Sequence, residues 1–264
     1  MTALALPAPR LMGADLLKLR RNRGLAAVTT VLTVVAVAIT VAVMELLHVS
    51  NAAKHGPAGG VTNLAHLAAL VAMLGAAAAA IVGSRIGAGD KDAGVYRELV
   101  VTGRSRVALY LSRIPAGFAY LLPFVAGAYA LAAVSAVALA GSSPAPGVRL
   151  LALTGLWTVL EVAFFYVLSV AIAALLGSRS YAIGVVLAFR LAILPLVASI
   201  SALGIVRELM PNVALEALTP SALGDAARQG PTIAMSTAAI AAVLVVWAVA
   251  AVVAAGWRDV TRDA

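Results

Sequence analysis

Residues 62–83 read TNLAHLAALVAMLGAAAAAIVG, a run with no Asp, Glu, Lys or Arg in it. At 1.5 Å per residue in a helix such a run covers roughly 30 Å, the thickness of a bilayer's hydrocarbon core. The run is continuous and rich in Ala, Leu and Val. Barrel strands alternate apolar and polar residues instead, so the pattern selects a membrane helix. Five further stretches read the same way, at about 25–47, 114–140, 150–176, 181–200 and 233–256. Over all 264 residues, 63% are apolar and 11% charged, and the mean hydropathy is +1.04. That composition excludes a water-soluble globule and leaves little chain for a separate catalytic domain. The expected fold is all-α and polytopic, a single membrane domain over residues 1–264 with six transmembrane helices. No Gly/Ser/Pro linker divides the chain, and no internal repeat is visible.

The first span follows a basic stretch, but at about 23 residues it exceeds the roughly 7 to 15 residues of a signal-peptide core, so it is read as a retained helix. The net charge of +8 would suggest nucleic acid in a soluble protein, whereas here its distribution explains it. Fourteen of the Lys and Arg residues fall before span one, between spans two and three, between four and five, and after six. The opposite side holds Lys54, Arg149, Arg207 and Arg228, and Arg190 lies inside a span. By the positive-inside rule both termini are expected in the cytoplasm, which an even number of spans allows.

Two segments on that side carry information. Residues 1–24 include RLMGADLLKLRRNR (10–23), where Met12, Leu16 and Leu19 fall at helical spacing beside Asp15, Lys18 and Arg21. That spacing predicts a helix lying along the membrane interface. Residues 84–113, SRIGAGDKDAGVYRELVVTGRSRVALYLSR, form the most charged part of the chain. Asp90, Asp92 and Glu98 interleave with Lys91, Arg97, Arg104 and Arg106, and a short helix is expected from about Ala93 to Val101, punctuated by Gly94 and Gly103. A topology signal needs no acidic residues. Mixed charge around Leu99, Val100 and Val101 suits a docking surface, with an apolar centre for contact and a charged rim for register. Gly87-Ala88-Gly89 is expected to end the second helix.

The order of these features resembles the membrane subunits of ABC type-2 exporters. In that family an interface helix and two spans lead to an acidic residue and a Gly, a Leu-rich helix, a Ser-Arg turn and a basic residue entering the third span. Here Asp90 and Asp92 stand near the acidic position, Gly94 follows, and Arg97 to Val101 form the helix. Ser105 and Arg106 form the turn, and Arg113 takes the last basic place. Gly103 and Arg104 replace the family's proline. The resemblance implies that this loop contains a coupling helix, with docking residues Asp90, Asp92, Gly94, Arg97, Glu98, Gly103, Arg104, Ser105 and Arg106. It also implies a separate ATP-binding subunit carrying ATP and Mg, a dimer of permease chains, and residence in a bacterial cytoplasmic membrane. No G-x-x-x-x-G-K-[ST] occurs in the chain, so no cofactor and no ATPase activity are expected on it.

Two ionisable residues fall inside spans. Glu161 and Arg190 each lie about 10 residues, roughly 15 Å, from the outer ends of consecutive spans. Equal depth on antiparallel helices, and the cost of burying either alone, predict an ion pair. Glu45, His48, His55 and His66 cluster near the outer surface without metal-site spacing and are read as interface anchors. Residues 201–232 are expected to form short external helices broken by Pro211, Pro220 and Pro231. With no cysteine, H-E-x-x-H or G-x-S-x-G, enzyme chemistry finds no candidate. Three readings stay open: an ATP-driven exporter's permease, a secondary transporter using Glu161 and Arg190, and a non-transporting membrane scaffold.

Overall fold

The computed structural model describes residues 9–94, 106–228 and 233–261, and every regular element among them is helical. A short helix α1 (Pro9–Arg20) leads to α2 (Arg23–Ser50), α3 (Gly60–Asp92), α4 (Arg106–Ala138), α5 (Val148–Leu176) and α6 (Arg179–Ser199). Tight 3-10 turns at Ser201–Leu209 and Ser221–Ala227 flank a short α7 (Pro211–Ala217), and α8 (Thr237–Thr261) follows. Among the described residues six helices, α2 to α6 and α8, are long and apolar enough to cross a membrane.

α3 lies at the centre and its seam with α5 is made of glycine. A Cβ on Gly75 would meet Val162 Cγ2 at 2.7 Å, and one on Gly83 would meet Ser169 Cβ at 2.6 Å and the Tyr166 carbonyl at 3.0 Å. At Gly87 the Val170 carbonyl oxygen would stand 2.5 Å away. With Ala79 between them, these residues recur every four positions, so one face of α3 carries nothing larger than a methyl group. Small faces of this kind let membrane helices approach closely where no hydrophobic drive exists between them. α4 closes the other side of α5: Tyr166 lies over Gly117, and its hydroxyl donates to the Arg113 carbonyl at 2.9 Å.

Two expected boundaries differ. α3 continues nine residues past position 83, and α4 begins eight before position 114, so residues 84–92 and 106–113 of the expected loop are helical. Asp90, Lys91, Asp92, Arg106 and Arg113, charged residues at these helix ends, are held by partners on other helices, which hydropathy does not register. Gly87-Ala88-Gly89 therefore lies inside α3 rather than ending it. The helix stops at Gly94, whose φ of +72° is the left-handed conformation favoured just beyond a helix end.

The segment after α6 folds back on the bundle. Leu223 and Ala227 pack against Leu64 and Ala136, the Trp157 indole donates to the Leu215 carbonyl at 3.0 Å, and Trp247 to that of Leu209 at 2.8 Å. Pro211 starts α7 at its first turn and Pro220 immediately precedes a 3-10 turn, so the short helices of this segment are separated at these two prolines, whose fixed φ and missing N–H suit the start of the next element. Pro231 lies outside the described residues.

Candidate functional site

The chain gathers α1, the C-terminal ends of α3, α5 and α8, and the N-terminal ends of α4 and α6 at one end. Three consecutive residues, Asp90, Lys91 and Asp92, bind them together. Successive side chains on an α-helix are turned by about 100°, so three in a row face three directions.

Asp90 is 6% exposed. Its Oδ1 takes a salt bridge from Lys18 of α1, and its Oδ2 accepts from Arg113 Nη2 of α4 at 2.9 Å. Arg113 is itself 2% exposed and also donates from Nη1 to the Gly87 carbonyl at 3.3 Å. Lys91 pairs with Asp259 of α8, whose side chain is fully buried, and donates to the Ala174 carbonyl of α5 at 3.1 Å. Arg106 donates to the Asp259 carbonyl at 3.3 Å. Asp92 accepts from the Arg179 side chain at 2.6 Å and from its backbone N–H at 3.2 Å, at the first residue of α6. The hub thus joins α3 to α1, α4, α5, α6 and α8.

α1 docks through Met12, Leu16 and Leu19, which pack on the core, while Asp15 turns toward α4 and accepts from the Ser112 hydroxyl at 3.2 Å. Burial pushes the Asp15 carboxyl above its ordinary range, against the opposing pull of Arg113.

A second ionic group sits near mid-helix. Arg190 Nη2 donates to Glu161 Oε1 at 2.5 Å, with Glu161 4% and Arg190 5% exposed, and the guanidinium carbon lies 5.0 Å from the centre of the Phe165 ring. Arg190 belongs to a π-helical turn, Phe189–Ile193. The extra residue in such a turn re-aims side chains, and it recurs at functional sites. α2 carries a second π-helical turn, Val31–Val35.

Residues 11–195 match the family described as ABC-2 family transporter protein. The chain belongs to that family. No curated protein matches the sequence. The match makes this a multi-pass membrane component of ABC-2 type, a kind of protein that normally works with an ATP-binding subunit. Of the hub, the ABC-2 match spans Asp15, Lys18, the Asp90–Asp92 triplet, Arg113 and Arg179, and it spans the Glu161–Arg190 pair; Asp259 lies beyond it.

The docking residues named from sequence divide in two. Asp90, Asp92 and Arg106 belong to the hub, and Gly94 ends α3 beside it. Arg97, Glu98, Gly103, Arg104 and Ser105, with most of the expected Ala93–Val101 helix, lie outside the described residues. Sequence reasoning did not find Lys91 with Asp259 or Lys18 with Asp90, which are 168 and 72 positions apart. The available signal was the alternating Asp-Lys-Asp at the end of an apolar helix, since three charges fanned around a helix entering the membrane each require a partner on a different neighbour. Among the described residues no cluster of His, Asp and Glu suits a metal ion. His48 instead contacts the His55 carbonyl, closing the turn between α2 and α3.

Proposed function

We propose that the chain is the permease subunit of an ATP-driven exporter in a bacterial cytoplasmic membrane. In this reading two copies work with two separate ATP-binding subunits, which hold ATP and Mg. The charged end and both termini face the cytoplasm, in keeping with the positive-inside bias. The observation that carries the reading is the hub. Asp90, Lys91 and Asp92 connect α3 to five other helices, and the segment 93–105 that would meet the ATPase begins one residue later. A force applied there enters a set of ion pairs rather than a single helix. Coupling between distant sites needs a physical element whose equilibrium both sites bias. In the mechanism, closure of the ATP-binding subunits displaces residues 93–106, the hub carries the displacement to α1, α4, α5, α6 and α8, and the bundle reorients between two arrangements.

The test uses the natural absence of cysteine. Ala93→Cys and Ser105→Cys chains are extracted in mild detergent, cross-linked and probed for a co-purifying Walker-type ATPase. Ala93 is preferable to Gly94, whose positive φ disfavours a side chain. A stoichiometric ATPase cross-linked at both positions supports the exporter. Its reproducible absence from an intact chain refutes it. The Glu161–Arg190 pair favours a second reading, a secondary transporter, in which ion-driven flux would persist without any ATPase.

A further inference from the structure

A cleft of about 340 Å³ opens at the charged end between α2, α3 and α6, away from the hub's ion pairs with α1, α4 and α8. Its lining is polar at Asn22, Arg85, Arg179 and Ser180 and apolar at Leu25, Val28, Ile81 and Ile183, and on each helix the apolar residues lie about one turn farther from the charged end. We propose that this cleft binds the phosphate headgroup of an anionic membrane phospholipid, an inference that goes beyond the permease reading and does not depend on it.

Three features argue for that chemistry. Arg85 is half-buried and forms no ion pair with any described carboxylate, in contrast to Arg179, which Asp92 already holds. Arg85 also stands seven residues inside the end of α3, about 10 Å below it, at headgroup to glycerol depth for a helix that crosses the bilayer. A cation at that depth is costly unless an anion or water meets it, and basic pockets between transmembrane helices characteristically receive lipid phosphates. Next, the N-terminal turn of α2 borders the cleft, and its N–H end adds positive potential to that of Arg85, whereas the start of α6 is already met by Asp92. Asn22 caps α2 by accepting from the Leu25 N–H at 3.0 Å, which leaves its amide hydrogens for a ligand. Finally, the apolar lining continues out of the cleft along α2. Val28, Val31 and Val35 of α2 are 44%, 55% and 36% exposed, at spacings that place them on one side of the helix, a track for an acyl chain running toward the bilayer centre. A soluble phosphate would make no use of that track.

The test is native mass spectrometry of the full chain in mild detergent, titrated with dioleoylphosphatidylglycerol and, separately, with dioleoylphosphatidylcholine. The anionic lipid should bind at lower concentration than the zwitterionic one. Arg85→Gln should weaken it about tenfold and abolish the preference, as expected for loss of one charge-assisted contact, whereas Arg85→Lys should retain the preference. Val28→Asp changes an exposed rim residue, leaves packing intact and should produce the same loss by repulsion, so the test survives if Arg85→Gln folds poorly. Arg149→Gln, exposed at the opposite end of the bundle, should change nothing. Equal binding of the two lipids, or an anionic preference untouched by both Arg85→Gln and Val28→Asp, overturns the proposal. Displacement of phosphatidylglycerol by inorganic phosphate at comparable concentration also overturns it, since the ligand would then be a soluble phosphate.

Discussion

Removing the Asp90 carboxylate by Asp90→Ala has a cost that follows from its two partners. The Lys18 side chain is 56% exposed and returns to water when its partner goes, so that half of the interaction is worth about 1 kcal/mol at most. Arg113 has no such escape. Its side chain is 2% exposed, and without Asp90 it keeps the Gly87 carbonyl at 3.3 Å and the field of Asp15. Breaking one side of a buried pair costs about 3 to 5 kcal/mol, and the remaining anion at Asp15 places this case near the lower end. For a chain of this size each kcal/mol shifts Tm by roughly 2 to 4 °C, so Asp90→Ala should melt about 6 to 12 °C below the native chain. Lys18→Ala should melt no more than about 4 °C below it. Thermal unfolding of the three proteins in one detergent, followed by tryptophan emission, decides the matter. The double change Asp90→Leu with Arg113→Met should recover much of the loss, because an apolar pair of similar volume replaces a buried ionic one at little cost. A Lys18→Ala loss equal to that of Asp90→Ala would refute the assignment of Arg113 as the partner that matters.

Gly83→Ala should destabilise by about 1 to 3 kcal/mol, since its methyl meets Ser169 Cβ at 2.6 Å. Gly89→Ala, with nothing within 4 Å, should be neutral or stabilising by about 0.5 to 1 kcal/mol; the same thermal assay reads both, and equal effects would remove the case for a seam. Reversing Glu161 or Arg190 alone should lower the yield of folded protein, and the Glu161→Arg with Arg190→Glu exchange should restore it, as judged by monodisperse elution in detergent. Asp15 has a raised folded pKa, so its contribution to stability is complete below the unfolded carboxylate range and is lost as pH rises through the folded value. Asp15→Asn should flatten that part of the stability profile; an unchanged pH dependence in the variant would show that Asp15 is not its source.

Six apolar runs were legible because each is long and carries at most one charged residue, and the depth of Glu161 and Arg190 could be counted from the run ends. The ends of α3 and α4 were not. Hydropathy treats Arg85, Asp90, Lys91, Arg106 and Arg113 as reasons to leave the membrane, while the structure satisfies all but Arg85 with buried partners on other helices. Gly87 shows the same limit from another side. Glycine reads as a helix end when only its own backbone is considered, and its role here depends on the Val170 carbonyl of a helix more than eighty positions distant. The π-helical turn that carries Arg190 has no signature in FRLAI itself, because an inserted residue in a helix is a matter of hydrogen-bond register.

The bare face shared by α3 and α5 has a geometric corollary. On the α3 side, glycines and Ala79 offer no rotamer to change, and a Cβ at Gly83 or Gly87 would lie within 3.0 Å of the α5 backbone, so the two helices resist sliding and tilt as a pair. α3 has 33 residues, a rod of about 50 Å at 1.5 Å per residue. If it rocks about its middle by 5°, simple trigonometry over a half-length of about 25 Å carries its two tips about 2 Å in opposite directions. A narrowing on one face of the bilayer is then a widening on the other, built into the stiffness of a single beam.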